Sequence, residues 1–155
     1  MIVSANLIEA HIFRKKENDI EFLLLKRAEN EIYPGLWQMV TGSIADDNEK
    51  GFETALREIK EETGLIPTQF WVVPHINSFY WPERDCICNI PVFAALVGPL
   101  QNVTISEEHS AFKWVNKKEA LKLLAWPGQR KSVEIIHEYF LTQKSFLNFV
   151  EIPLT

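Results

Sequence analysis

Apolar residues in the first part of the chain cluster in two runs, 7–13 and 20–25, both rich in Ile, Leu and Phe. The polar stretch 15–19 separates them, a pattern that predicts a β-hairpin. Residues 27–43 carry no clear period; Pro34-Gly35 marks a turn and Thr41-Gly42 a tight point. From Glu49 the period changes. Phe52, Ala55, Leu56, Ile59 and Thr63 recur at helical spacing, which predicts an amphipathic helix over 49–63. Asp46 and Glu49 form a capping-box-like start for it, and Gly64 supplies its stop. Strands are expected at 71–73, 76–81 and 87–97, the last apolar enough to be central to a sheet, and a short one at 111–115. Two helices follow, at 117–124 and 131–141, divided by Trp126-Pro127-Gly128. Strands, one helix, more strands and then helices describe an α+β fold, a mixed-sheet α/β sandwich.

Composition narrows the classes. The chain has 155 residues, the size of one domain spanning 1–155, and its 46% hydrophobic and 24% charged content excludes disordered and low-complexity classes. With 16 Lys+Arg against 21 Asp+Glu the formal charge is −5, which speaks against a nucleic-acid polymer as partner. The longest apolar run, about 90–100, is broken by Pro91 and is too short to span a bilayer, so no membrane association is expected. Met1 to Asn6 lacks the basic and apolar segments of a signal peptide, and a cytoplasmic location is the expectation. Cys86 and Cys88, one residue apart, would share a strand face at a separation poor for a disulfide. They supply only half of a structural zinc site, so reduced packing residues are expected.

The segment that carries chemistry is Arg57-Glu58-Ile59-Lys60-Glu61-Glu62-Thr63-Gly64. On a helix, Glu58, Glu61 and Glu62 fall within an arc of about 100°, beside the apolar arc that anchors the helix. Like charges at these spacings repel, and they sit in the last turns, where the helix dipole favours cations. A hard divalent cation offsets both penalties. Arg57, one turn before Glu61, is placed to orient a carboxylate and keep it ionised. A solvated acidic face is the competing reading of the bare carboxylates.

Gly42, Glu49 and the run from Arg57 to Leu65 closely resemble the Nudix hydrolase signature: Gly, five residues, Glu, seven residues, then Arg-Glu-aliphatic-x-Glu-Glu-x-Gly-aliphatic. Every position from Glu49 onward matches at the family's spacing. The loop between Gly42 and Glu49 has six residues instead of five, an insertion that is cheap in entropy. The resemblance implies a mixed sheet between helices, with a loop–helix–loop motif presenting the carboxylates. It further implies a magnesium-dependent hydrolase of nucleoside diphosphates linked to another moiety, with manganese as a substitute metal. Carried over by position, Glu58 and Glu62 are the main metal ligands, Glu61 a further or water-mediated one, and Gly42 offers its carbonyl. Arg57, helped by Glu49, positions Glu58.

A second block, Glu108-His109-Ser110-Ala111-Phe112-Lys113-Trp114, and the run Trp37 to Ser43 are similar to the family's bacterial dihydroneopterin triphosphate and dATP pyrophosphohydrolase branch. That likeness implies Glu108 as a metal ligand and a (deoxy)nucleoside or pterin triphosphate as the small-molecule substrate. Products would be pyrophosphate and a monophosphate. Glu61 and Glu108 are the candidates for general base. Hydrolysis of ADP-ribose or a diadenosine polyphosphate is the nearest rival, Tyr80 being the one residue that points to it. A nucleotide sensor without turnover is a third reading, disfavoured by the intact box. Arg27 is either a phosphate clamp or a surface arginine, Trp37 either stacks on a planar ring or fills the core, and Thr41 belongs to the substrate side of the same run. His11, His75 and His137 read as structural histidines, and His109 as a group that orients its neighbour Glu108. Whether the protein is a monomer or homodimer is not legible.

Overall fold

A computed structural model describes residues 1–142 and 149–155. Its elements in chain order are β1 (Ile2–Ser4), β2 (Leu7–Lys16), β3 (Asp19–Arg27), β4 (Trp37–Gln38), β5 (Val40–Ser43), α1 (Gly51–Thr63), β6 (Gln69–Trp81), β7 (Cys86–Leu96), β8 (His109–Val115), α2 (Lys117–Leu123), α3 (Pro127–Thr142) and β9 (Val150–Glu151). The strands join in one mixed sheet with the order β4-β3-β2-β7-β6-β9; β1 adds to β7, β5 to β2 and β8 to β3. β2 and β1 run parallel to β7, and the other pairings are antiparallel.

Both faces of this sheet are covered, which explains why its central strands read as unbroken apolar runs. Phe22 and Leu24 of β3 point into one core, with Phe13, Val92 and Ala94, under Ala120 of α2 and Val133 and Ile136 of α3. Leu23 and Leu25 point into the other, with Ile8, Ile12, Phe70 and Phe93, under Ala55 and Ile59 of α1. The fold is α+β, a mixed sheet between helices, as the periodicity predicts. Among the described residues, no helix is long and apolar enough to cross a membrane.

Four local expectations need correction. The first helix begins at Gly51 rather than Glu49, with Lys50 as its N-cap. Glu53 Oε1 accepts the Lys50 N–H at 3.0 Å, whereas Asp46 Oδ1 takes the amides of Asn48 and Glu49 in the preceding turn. Gly64 does close the helix, in the left-handed region at φ 71°. The strands expected at 71–73 and 76–81 are one strand, β6, with a register shift between Val72 and Ile76. Pro74 lies inside that shift and has no N–H to give to the ladder. The last helix starts at Pro127, four residues before the expected 131, because proline suits the first turn of a helix. Finally, the segment read as irregular holds β4 and β5, two and four residues long, too short to show a period. Cys86 and Cys88 are buried and unlinked, with sulfurs 4.0 Å apart.

Candidate functional site

The site is built where α1 meets β5. Arg57 projects from α1 and spends its guanidinium on four neighbours. Its Nε and one terminal nitrogen donate to the two oxygens of Glu49 at 2.9 and 3.0 Å. The other terminal nitrogen donates to Glu58 at 2.8 Å and Glu61 at 3.2 Å, and the Ser43 carbonyl accepts a further bond at 3.2 Å. Glu49, held also by the Thr54 hydroxyl, is thereby drawn down to a pKa of about 2. The Arg57 guanidinium is correspondingly raised, Glu49 being the main cause. Glu49 thus lies outside the helix and ties the preceding loop, with its extra residue, to the helix surface.

Gly42 sits against Glu58. A Cβ at position 42 would lie 2.4 Å from the Glu58 Cγ and 2.7 Å from its Cδ, so the glycine is what lets β5 come this close to the carboxylate. β5 is itself fixed by pairing with β2, Gly42 opposite Ile8.

Glu62 points the other way, into the protein, and is 3% exposed. Burial pushes its carboxyl up to about 9, with the charges of Glu58 and Glu108 adding to the effect and Arg27 opposing it. Glu58 is raised for the same first reason, burial, against the pull of Arg57. Glu108 comes from a loop stitched to the end of α1: the Thr104 amide donates to the Thr63 carbonyl at 2.9 Å and the Ser106 amide to the Glu62 carbonyl at 3.3 Å. The Ala28 amide then holds the Glu108 carbonyl at 2.9 Å, at the end of β3. Beside it, His109 is 4% exposed and its ring is bonded to Gln38 at 3.1 Å. Burial lowers its pKa, against the pull of the Glu108 charge.

This corner fits a divalent cation. Glu62 Oε2 is buried without a hydrogen-bond partner, a costly state for a carboxylate unless a positive group shares the site. Glu58, Glu62 and Glu108 repel one another and only Glu58 touches an arginine. Oxygen donors of this kind suit magnesium or manganese.

A cavity of about 240 Å³ opens next to Gly42, on the sheet face that α3 covers in part. Leu7 and Glu9 of β2, Thr41 and Ser43 of β5, Ile90 of β7 and Gln129 of α3 line it. Gln129 Oε1 is buried and unpartnered. Under the cavity runs a polar network that single-residue reading of the sequence missed. Glu9 and His11 are both buried and bonded at 2.6 Å, and the Asn77 amide donates to Glu9 at 3.0 Å. Burial would raise Glu9, but the bonds from His11 and Asn77 and the His11 charge hold it below the ordinary value. The one available signal was that Glu9 and His11 occupy inward positions of an otherwise apolar strand.

Of the predicted site residues, Arg57, Glu58, Glu61 and Gly42 meet at one point, and Glu62 with Glu108 meet beside it. Thr41 lines the cavity. Arg27 lies at the edge: its side chain donates to the Ile32 carbonyl and pairs with Glu31 at 3.6 Å, while its charge is felt at Glu62 and His109. Trp37 packs on the core cluster with Lys113 over its ring at 5.0 Å, and the cavity lining does not include it. Tyr80 is on the exposed tip of β6, its hydroxyl donating to Asp85 at 2.8 Å.

Comparison with known proteins accords with this arrangement. Asymmetrical bis(5'-nucleosyl)-tetraphosphatase of Mus musculus is 26% identical over 136 residues, 86% of this chain and 90% of that protein. Dihydroneopterin triphosphate diphosphatase of Escherichia coli K12 is 29% identical over 125 residues, 72% of this chain and 79% of that one. Among solved structures, a protein described as a NUDIX hydrolase from Listeria monocytogenes superposes with a TM-score of 0.76 at 25% identity, covering 89% of this chain and 95% of its own. The NUDIX domain matches residues 8–135, across both faces of the sheet and every carboxylate of the site, and the chain belongs to that family.

Proposed function

We propose that the protein is a divalent-cation-dependent pyrophosphohydrolase that cleaves a phosphoanhydride of dihydroneopterin triphosphate or a (deoxy)nucleoside triphosphate. The products are pyrophosphate and a monophosphate. The observation that carries the reading is the meeting, at Gly42, of the carboxylate cluster and a cavity of about 240 Å³. Ligand pockets commonly span about 300–1,000 Å³, so this one suits no more than a single ring system.

Cleaving a phosphoanhydride is chiefly a matter of neutralising charge and aligning water. Magnesium or manganese, when bound, supplies the neutralising charge and acidifies water. Glu58, Glu62 and Glu108 hold the cation, with Glu61 and the Gly42 carbonyl in support. Arg57 fixes Glu58 and Glu61 in place, Glu61 or Glu108 accepts the proton of the attacking water, and Arg27 draws a phosphate to the edge of the site. Thr41 forms part of the ring pocket, which leaves Trp37 as a packing residue behind it.

A second reading, cleavage of a dinucleoside polyphosphate, is supported by the longer alignment with the mouse tetraphosphatase; ADP-ribose is a further substrate of the same general shape. The test is incubation with magnesium and dihydroneopterin triphosphate, each dNTP, diadenosine tetraphosphate and ADP-ribose, with products identified by chromatography and Glu62→Gln as the blank. Pyrophosphate released fastest from the pterin or a dNTP is the expected result. Turnover of only the last two compounds would overturn the substrate assignment, and turnover of none would leave a nucleotide-binding sensor.

A further inference from the structure

We infer that His109 is itself a metal ligand, through Nδ1, so that the cation sits in a mixed carboxylate–imidazole set with Glu62 and Glu108. The inference rests on the proposed reading that this corner holds a divalent cation. It adds a nitrogen donor, and with it a preference for first-row transition dications over magnesium.

Two buried atoms carry the argument. His109 Nδ1 and Glu62 Oε2 are both shielded from solvent and neither has a hydrogen-bond partner. Such atoms are uncommon in folded proteins, and each is costly where nothing satisfies it. Here the two lie in one cluster: ligand atoms of Glu62, Glu108 and His109 are all within 4.8 Å of one another. Donors bound to one ion at about 2.0–2.2 Å stand at most about 4.4 Å apart, so closure onto a cation needs only a small side-chain adjustment. Glu108, exposed at its turn, is free to make it. One ion satisfies both orphaned atoms at once.

The ring's other contacts fix its position. His109 opens β8 opposite Arg27, and its amide donates to the Ser106 carbonyl at 3.2 Å. Its Nε2 meets the side-chain amide nitrogen of the buried Gln38 at 3.1 Å. Ligation through Nδ1 requires the proton on Nε2 and the Gln38 amide flipped so that its oxygen accepts it, which frees the Nδ1 lone pair. A metal-bound histidine commonly has its second nitrogen tied to an acceptor in this way, which fixes tautomer and orientation. Magnesium prefers oxygen and gives up water reluctantly, whereas imidazole binds manganese, cobalt and zinc more readily.

The experiment is pulsed electron paramagnetic resonance on the full chain loaded with Mn²⁺, with natural-abundance protein and with ¹⁵N-histidine-labelled protein. A directly bound imidazole gives a strong ¹⁴N coupling that the label converts to ¹⁵N. In parallel, calorimetry reads Mn²⁺ and Mg²⁺ binding to the wild type and to His109→Gln. The expected result is a histidine coupling in the wild type, its loss in the variant, and a fall of about 10–100-fold in Mn²⁺ affinity with a smaller fall for Mg²⁺. Mn²⁺ bound without any histidine coupling would overturn the inference and leave His109 as a hydrogen-bonding partner of a carboxylate, with the metal site intact. Absence of any Mn²⁺ binding would overturn the metal reading as well. The wild-type spectrum decides the matter even if the variant fails to fold.

Discussion

Arg57 shows how much of the site depends on the shape of one side chain. Its fork reaches both oxygens of Glu49 while its other nitrogen spans Glu58 and Glu61. Lysine would bring the same charge as a single point and cannot supply that geometry. Arg57→Lys is therefore expected to fold normally and lose about 10–100-fold in turnover, the usual cost of removing a group that orients a metal ligand. The same change has an electrostatic signature. A carboxyl held at about 2 instead of 4.5 stabilises the fold above pH 4.5, and that stabilisation is lost as pH falls toward 2. In the lysine variant Glu49 should titrate nearer 4.5 and acid unfolding should begin at higher pH. Carboxyl carbon resonances followed through a pH titration report both. A Glu49 that still titrates near 2 would mean that Thr54 and the Ala45 amide, not Arg57, hold it.

At the scale of elements, the contact between α3 and β6 has two opposed consequences. Gly128 lies in the first turn of α3, and a Cβ there would stand 1.8 Å from Asn77 Oδ1 and 2.5 Å from its Cγ. Asn77 is pinned by its bond to the buried Glu9, so it cannot swing aside without leaving that carboxylate one donor short. Alanine gains about 1 kcal/mol of helix propensity over glycine, but overpacking costs about 1–3 kcal/mol, and the lost bond adds to it. Gly128→Ala should therefore lower the urea midpoint, and Gly128→Ala with Asn77→Ala should recover part of the loss; full stability in the single variant would show that α3 shifts freely. Interactions of this kind mark the limit of what the sequence discloses. The box on α1 was legible because its carboxylates, its apolar stripe and its Gly64 stop all lie within a few turns of one helix. Glu108 was legible through its own short motif. Glu9, Asn77 and Gln129 were not, since they come together only through the pairing of β2, β7 and β6 and the docking of α3. β4 and β5 escaped notice for a related reason: strands of two and four residues are defined by their neighbours, not by a pattern of their own. The split expected within β6 has the opposite origin: a register shift between Val72 and Ile76 interrupts the pattern without ending the strand.

For the molecule as a whole, the crowding of Glu62 with Glu58 and Glu108 ties global stability to both protons and cations. In the metal-free protein Glu62 has its carboxyl raised to about 9 from an ordinary 4.5. As pH rises from about 4.5 toward 9, the unfolded chain has already given up this proton while the native state still holds it. The unfolded state then binds fewer protons, so stability declines across that window. A divalent cation replaces the proton and reverses the trend. Occupancy at 100 times Kd contributes about 2.7 kcal/mol, and its gain should be larger at pH 8.5 than at pH 6, where the proton competes. Glu62→Gln copies the protonated acid without its titration. It is expected to fold, to show a flatter pH profile, to exceed the wild type in stability at pH 8.5 without metal, and to gain far less from magnesium or manganese. Its turnover should fall by orders of magnitude. Urea unfolding at the two pH values, with and without metal, separates these effects. If the wild-type profile is flat without metal, or if the variant gains as much from metal as the wild type, Glu62 is a structural acid and the cation is held by Glu58 and Glu108 without it.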